Sequence, residues 1–525
     1  MNFFERQERA RSRTRLLLLL FFLGIALTIA VEYVFVKFTS LLGTPPRLLH
    51  LPDNASAAQV IGTGFRQTFR GQWYFDPLLI CTAVATIFII ALGSLMQTLR
   101  IAKGGSAIAR LLGAREVALD AADAPERRLR NVVEEMALAS GTLVPRIFVM
   151  DAEPGINALS AGHAPGDSAI IVTKGALDKL ARDELQGVIG HELSHIFSGD
   201  MRLNMRLMGL LAGMLLVGKI GRGLLGNLID ASRPKTFDML RIVHGIFFGS
   251  TFAVTGFCSW FCGRLIKAAI SRQREFLADA SSVQFTRNLQ GLAGALKKIQ
   301  QAQNGSVISN KYAEDASHMF FSDAFHPVMK LLATHPTIEE RLEALSSRFA
   351  DMPHASAQMT GSDAHGSLEA SGFQSRPRTI NSTPGAAMAT VGNPTAQHMI
   401  FAQSLLQGFP DSLRQATRSP DDARGIIYAL LMEPPATAAP DVLQLQLDAL
   451  DKAGETHALE RAQAARKLLP ALGDRVRLPL LDLCVPALCR MPPDGRAAFL
   501  KNVDLLIRAD GRIDLFEFAV KTILF

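Results

Sequence analysis

Four stretches of the chain lose the mixture of polar and apolar positions found elsewhere and become continuously apolar. Residues 16–36 are broken only by Glu32 near the far end, and residues 77–98 carry no charge between Asp76 and Arg100. Each is close to the ~20 residues a helix needs to cross hydrocarbon. Residues 242–263 also carry no formal charge and read as a span. The remaining stretch, "LMGLLAGMLLVG" at 207–218, is short, and Lys219 and Arg222 interrupt its extension. It crosses with snorkelling cations or dips in and returns. The expectation is a mainly α integral membrane protein with about four transmembrane helices, at 16–36, 77–98 and in a hairpin over about 205–263.

Between these runs the periodicity changes. Residues 122–143 place Leu129, Val132, Val133 and Met136 at helical spacing, and 144–150 reads as a short strand. "INALSAGHAPGDSAIIVTKGAL" reads as strand, turn, strand, with Gly162, Pro165 and Gly166 as breakers. From Asp183 a helix begins, with Leu185, Val188, Ile189, Leu193 and Ile196 on its apolar side. Asp183 and Glu184 in its first turn complement the helix dipole. After Arg348 the chain turns rich in Ser, Ala, Gly, Thr and Pro without apolar periodicity, as a flexible linker does. Amphipathic helices then return; "SPDDARGIIYALLM" offers Ser419 as N-cap and Pro420 at the first helical position. The pattern divides the chain into four regions: an N-terminal membrane region 1–99, a central domain 100–349, a linker 350–398 and an all-α domain 399–525.

Charge refines the picture. The 525 residues are 48% hydrophobic with net charge +7. A basic balance fits nucleic-acid binding only where cations form a stripe interleaved with aromatics, and none does here. The cations gather beside the apolar runs instead. "RQERARSRTR" precedes the first, and Arg100, Lys103, Arg110 and Arg115 come after the second. The first run is too long for a signal peptide and reads as a retained anchor. By the positive-inside rule both the N-terminus and the region after Arg100 face the cytoplasm, and 37–76 form an exported loop. The five cysteines form no CxxC pair, so neither a disulfide framework nor a cysteine zinc site is indicated.

Candidate chemistry sits in "VIGHELSHIFSGD". His191 and His195 are one helical turn apart and point the same way, a spacing that holds one zinc ion without distorting the helix. Glu192 stands beside them, placed to take a proton from the water that such an ion activates. Imidazoles on so apolar a helix are costly without a partner, which favours the metal over a pair of surface histidines. A catalytic zinc keeps one position open and takes three protein ligands. No histidine comes shortly after His195, so the third must come from elsewhere. Glu275, in "SRQREFLADA", is the candidate, provided that an even number of crossings separates Asp200 from Arg264. Asp279, one turn on, stands where it would orient a ligand histidine. The plainer alternative is surface pairing, of Glu275 with Arg272 or Arg274.

Four segments in order resemble the M48 family of membrane zinc metallopeptidases, which includes the HtpX-type heat-shock proteases and the Ste24-type CAAX prenyl proteases. "NALSAG" resembles its edge strand, "VIGHELSHIFSGD" its zinc helix, "REFLADA" its E-x-x-A-D segment and "THPTIEERLEAL" its HP-x-x-x-x-R motif. The resemblance spans roughly 100–349. It implies a zincin-like α+β metallopeptidase domain with a small β-hairpin and edge strand, and one Zn2+ held by His191, His195 and Glu275. Glu192 is then the catalytic base and His335 the oxyanion donor. Arg341 organises the site, and Asn157 and Ala158 offer backbone to an extended substrate. Leu159 departs from the aromatic residue usual there.

The resemblance implies a membrane-bound zinc endopeptidase of the bacterial inner membrane with its site facing the cytoplasm. Its partners would be polypeptides, chiefly misfolded or damaged membrane proteins, and the lipid bilayer. A CAAX-type prenyl protease is an alternative, and a catalytically idle scaffold another. The C-terminal helices resemble TerB-like domains weakly, at "IRADGRIDLFEFAV", and are a candidate partner-binding module. An EF-hand is excluded there, because Leu506 and Arg508 would fall at ligand positions.

Overall fold

The computed structural model describes residues 3–42, 44–70, 76–230, 256–258, 261–267, 274–303, 305–310, 312–324, 335–348, 396–432, 440–509 and 513–525. Most of the expected span 242–263 and nearly all of the expected linker lie outside them. Internal contacts divide the chain into two units. The first comprises Met1–Leu112, Met201–Glu275 and Val307–Pro336; the second comprises Gly113–Asp200, Phe276–Ser306 and Thr337–Phe525.

The first unit is built on three long helices, α1 (Phe3–Leu42), α3 (Pro77–Ile101) and α8 (Asp200–Asp230). Within them Leu19–Phe38, Pro77–Ile101 and Asp200–Ile220 are long and apolar enough to cross a membrane. Outward faces of α1 and α3 expose large side chains such as Phe22, Leu23, Val84, Phe88 and Leu99. A contiguous apolar surface of this kind is what lipid, not water, would cover. The inner faces pack Phe21, Ile90, Leu207, Leu211, Met214 and Cys262 together. Small residues let the backbones close in: a Cβ added at Gly213 would meet the Ile90 carbonyl at 2.0 Å, and one at Gly209 would meet Thr98 Oγ1 at 2.7 Å. Ser94 Oγ donates to the Leu210 carbonyl at 2.7 Å across the same seam, a contact worth making where water is absent. Asp76 caps α3 by accepting from the Leu78 N–H at 3.0 Å. The same carboxylate accepts from Lys37 Nζ at 2.7 Å and Tyr33 OH at 3.0 Å, tying the ends of α1 and α3. Residues between them include α2 (Ala57–Arg70), and α4 (Gly105–Leu111) comes directly after α3.

The second unit holds a four-stranded sheet: β1 (Arg115–Glu116), β2 (Arg146–Met150), β3 (Ala158–Ala161) and β4 (Ala169–Thr173), in the order β1-β2-β4-β3. β2 and β4 run parallel, with Phe148 opposite Ile171. β3 lies at the edge, antiparallel to β4, with Ala158 opposite Val172. Around the sheet lie α5 (Ala124–Ser140), α6 (Lys174–Lys179), α7 (Arg182–Ser198), α9 (274–286), α10 (Leu289–Gln301) and α11 (Ile338–Arg348). The division between the units falls inside α9, between Glu275 and Phe276.

The C-terminal helices belong to this second unit: α12 (Ala396–Gly408), α13 (Asp411–Ala416), α14 (Pro420–Leu431), α15 (Pro440–Lys452), α16 (Thr456–Leu472), α17 (Arg477–Leu488), α18 (Pro493–Ile507) and α19 (Leu515–Leu524). Their core holds Tyr428 against Phe499, with Asn502 donating to the Tyr428 hydroxyl and to Glu455. They also hold on to the sheet and α5. Arg490 pairs with Glu116 at 3.0 Å and donates to the Val117 carbonyl at 2.8 Å, and Gln403 donates to Glu135 at 3.3 Å.

Candidate metal centre

α7 carries the two histidines, and its ends are well set. The Ala181 N–H donates to Glu184 at 2.6 Å, and Gly199 closes the helix at φ 72°, a left-handed cap that suits glycine. Two further glycines set how tightly it is packed. A Cβ at Gly187 would lie 2.8 Å from the Leu292 nitrogen of α10, and one at Gly190 would lie 3.0 Å from Ser282 Oγ of α9. Ser282 Oγ in turn donates to the Gly187 carbonyl at 2.6 Å. α9 is thereby drawn against the face of α7 that bears His191.

Asp279 of α9 accepts from His191 Nδ1 at 2.8 Å. Arg341 of α11 grips the same carboxylate from the other side, Nε to Oδ2 at 2.7 Å and Nη2 to Oδ1 at 2.5 Å. Burial works to raise the Asp279 pKa, but the Arg341 guanidinium and His191 outweigh it and hold the carboxyl below its ordinary range. Asp200 accepts from His195 Nδ1 at 3.3 Å. A carboxylate only accepts, so both histidines carry their proton on Nδ1 and turn a bare Nε2 inward. The two Nε2 atoms face each other at 3.2 Å. Two nitrogens ~2.05 Å from one tetrahedral zinc stand about 3.3 Å apart, so the pair fits such an ion. Opposed lone pairs in a buried site otherwise repel.

Glu275 sits in the first turn of α9, one turn before Asp279. One ligand atom from each of His191, His195 and Glu275 lies within 4.8 Å of the others, all three residues buried. Two histidines and a carboxylate form a donor set suited to a catalytic zinc, leaving a fourth position open. Arg274, beside Glu275, turns away to donate to Asn204 Oδ1 at 3.1 Å; Arg272 lies outside the described residues. Glu192, between the histidines in α7, is fully buried. His335 Nδ1 lies 3.1 Å from Glu275 Oε2, and its Nε2 donates to the Ser317 carbonyl at 3.3 Å.

Asn157 and Ala158 open β3. Asn157 Nδ2 donates to the Ser306 carbonyl at 2.9 Å, and its Oδ1 accepts from the Ala158 N–H at 3.0 Å. The asparagine side chain thus sets the start of the edge strand, and Leu159 behind it is buried. Sequence reasoning did not single out Asp200, although its position one residue past the capping glycine was a usable signal. Ser317 carries no comparable mark, because its segment has no period.

Comparison with known proteins adds the class. Residues 123–349 match Peptidase family M48. A protease HtpX homolog of Streptococcus uberis is 31% identical over 261 residues, covering 49% of this chain and 84% of that one. One from Streptococcus thermophilus is 33% identical over 293 residues, 54% of this chain and 91% of that one. One from Dictyoglomus turgidum is 38% identical over 220 residues, 41% and 68% of the two chains. The apolar helices and these matches define a membrane protease. The chain belongs to the M48 family of membrane metallopeptidases, with HtpX-type proteases among its relatives. The family match ends before α12 and does not speak to the C-terminal helices.

Proposed function

We propose that the chain is a zinc-dependent endopeptidase of the bacterial inner membrane, facing the cytoplasm, that clears misfolded or damaged membrane proteins. The observation that carries this reading is the buried meeting of His191, His195 and Glu275, with Glu192 on the same helix as the histidines. When bound, zinc supplies the Lewis acidity that makes water a nucleophile near neutral pH. Glu192 takes the proton from that water and passes it to the leaving amine. Asp279, charged and fixed by Arg341, holds His191 in the tautomer that leaves Nε2 free; Asp200 does the same for His195. His335 stands at Glu275 with Nε2 held by the Ser317 carbonyl, and can meet the oxyanion of the scissile carbonyl from Nδ1 when the ring carries both protons. An extended substrate would add along β3, with Asn157 and Ala158 at its start.

Detergent-purified protein should contain about one zinc per chain and cleave casein or an unfolded membrane substrate. Glu192→Gln should keep the zinc and lose at least about 100-fold in turnover, the usual scale of a general base. Equal cleavage by that variant would sink the mechanism.

A further inference from the structure

Residues 312–319 contain only one short 3-10 turn, at Ser317–Met319, yet Asp315, Ser317 and His318 are all at most 4% exposed. Side chains from other parts of the first unit hold this segment in place. Lys267, itself 2% exposed, directs its ammonium at the Glu314 carbonyl at 2.9 Å, the Asp315 carbonyl at 3.1 Å and Ser317 Oγ at 3.3 Å. Three donors thus meet three oxygens. Lys219 of α8 reaches the Asp315 carboxylate at 3.0 and 3.1 Å, and His318 Nε2 meets the Asn204 carbonyl at 3.1 Å. A buried ammonium is costly unless its donors are satisfied, and an apolar side chain would fill this space more cheaply. What the cation adds is a fixed place for the carbonyls around it. It also holds Ser317 by its hydroxyl, and the carbonyl of that same residue accepts from His335 Nε2.

We propose that Lys267 is a positioning residue for His335: it pins residues 314–317 so that the Ser317 carbonyl fixes the His335 Nε2–H and leaves Nδ1 directed at Glu275. The inference rests on the proteolytic reading above for its kinetic consequence, and on geometry alone for the orientation of the ring. A carbonyl free to drift would let the ring turn, and His335 would lose its bearing on Glu275. Zinc should stay bound and substrate affinity should change little, because His191, His195, Glu275 and β3 all remain and none of them touches Lys267 in the contacts named here.

The test compares Lys267→Met, Lys267→Arg, His335→Ala and the Lys267→Met/His335→Ala pair in the full-length, zinc-loaded protein. Lys267→Met should keep one zinc per chain and a KM within twofold, while kcat falls about 10- to 100-fold, as for outer partners of metal sites. Lys267→Arg should restore part of kcat. In the His335→Ala background the same change should cost little more, since the lysine acts through that ring. Nitrogen-15 spectra of the histidines should show the His335 Nε2–H hydrogen-bonded in the wild type and that hydrogen bond lost in Lys267→Met. Wild-type kcat in Lys267→Met, or a further full loss in the double variant, would overturn the proposal. If the wild type cleaves nothing, the proteolytic reading falls, and the His335 spectrum still decides the positioning. Should Lys267→Met not purify folded, Lys267→Gln, which retains a donor over a shorter reach, faces the same two outcomes.

Discussion

His191 takes its orientation from Asp279, and Asp279 keeps its charge because Arg341 offers two donors in a fork. Removing that charge should loosen the metal without removing a ligand. Asp279→Asn is expected to weaken zinc affinity about 10- to 100-fold, read by competition with a chelator; unchanged affinity would count against the orienting role. The His191–His195 pair could be read from sequence because an i,i+4 spacing is local. Asp200 needed the φ of Gly199 to bring it back to His195, and Ser317 needed residues from far along the chain. A second residue-scale expectation concerns Asp482 of α17. Burial pushes its carboxyl from 3.8 up to about 7. The native state therefore holds a proton that the unfolded chain gives up near pH 4, and stability falls as pH rises from there to about 7. Asp482→Asn should raise the thermal midpoint at pH 8, and the gain should shrink as pH falls and vanish below about pH 4.

Among the elements, α8 shows best what pattern alone conveys. It is one helix of 31 residues, about 46 Å long at 1.5 Å per residue. The sequence showed only the short apolar piece at 207–218, because Lys219 breaks the hydropathy. In the structure Lys219 has a partner, Asp315, 96 residues further on, and no window along the sequence contains that pairing. The spans at 16–36 and 77–98 were legible because each is apolar throughout. β1 was not, being two residues long and without a period to read. The α3–α8 seam gives its own test. Gly213→Ala puts a methyl 2.0 Å from the Ile90 carbonyl, whereas a Cβ at Gly223 meets nothing within 4 Å. The first should cost roughly 1–3 kcal/mol, as overpacking does, and Gly223→Ala should cost little. Equal thermal midpoints in detergent for the two variants would refute the seam.

For the molecule as a whole, the helices after residue 396 share a unit with the sheet. Arg490 pairs with Glu116 and Gln403 with Glu135, and Arg418 lies 3.8 Å from Glu134, which is only 8% exposed. Composition marked the change at residue 350, and helical periodicity marked the amphipathic segments of the C-terminal region, but neither says which surface those helices meet. Deleting 396–525 should strip partners from α5 and lower the thermal midpoint of the remainder by at least about 5 °C. An unchanged midpoint would mean that these contacts contribute nothing to stability. Glu192, His191, Glu275 and His335 are each at most 2% exposed. On the proposed reading, that concealment decides what is cut. On that reading a folded protein cannot feed a strand to groups so fully covered; only a chain with slack to spare can. Such an enzyme needs no signature of damage, because looseness itself admits the victim.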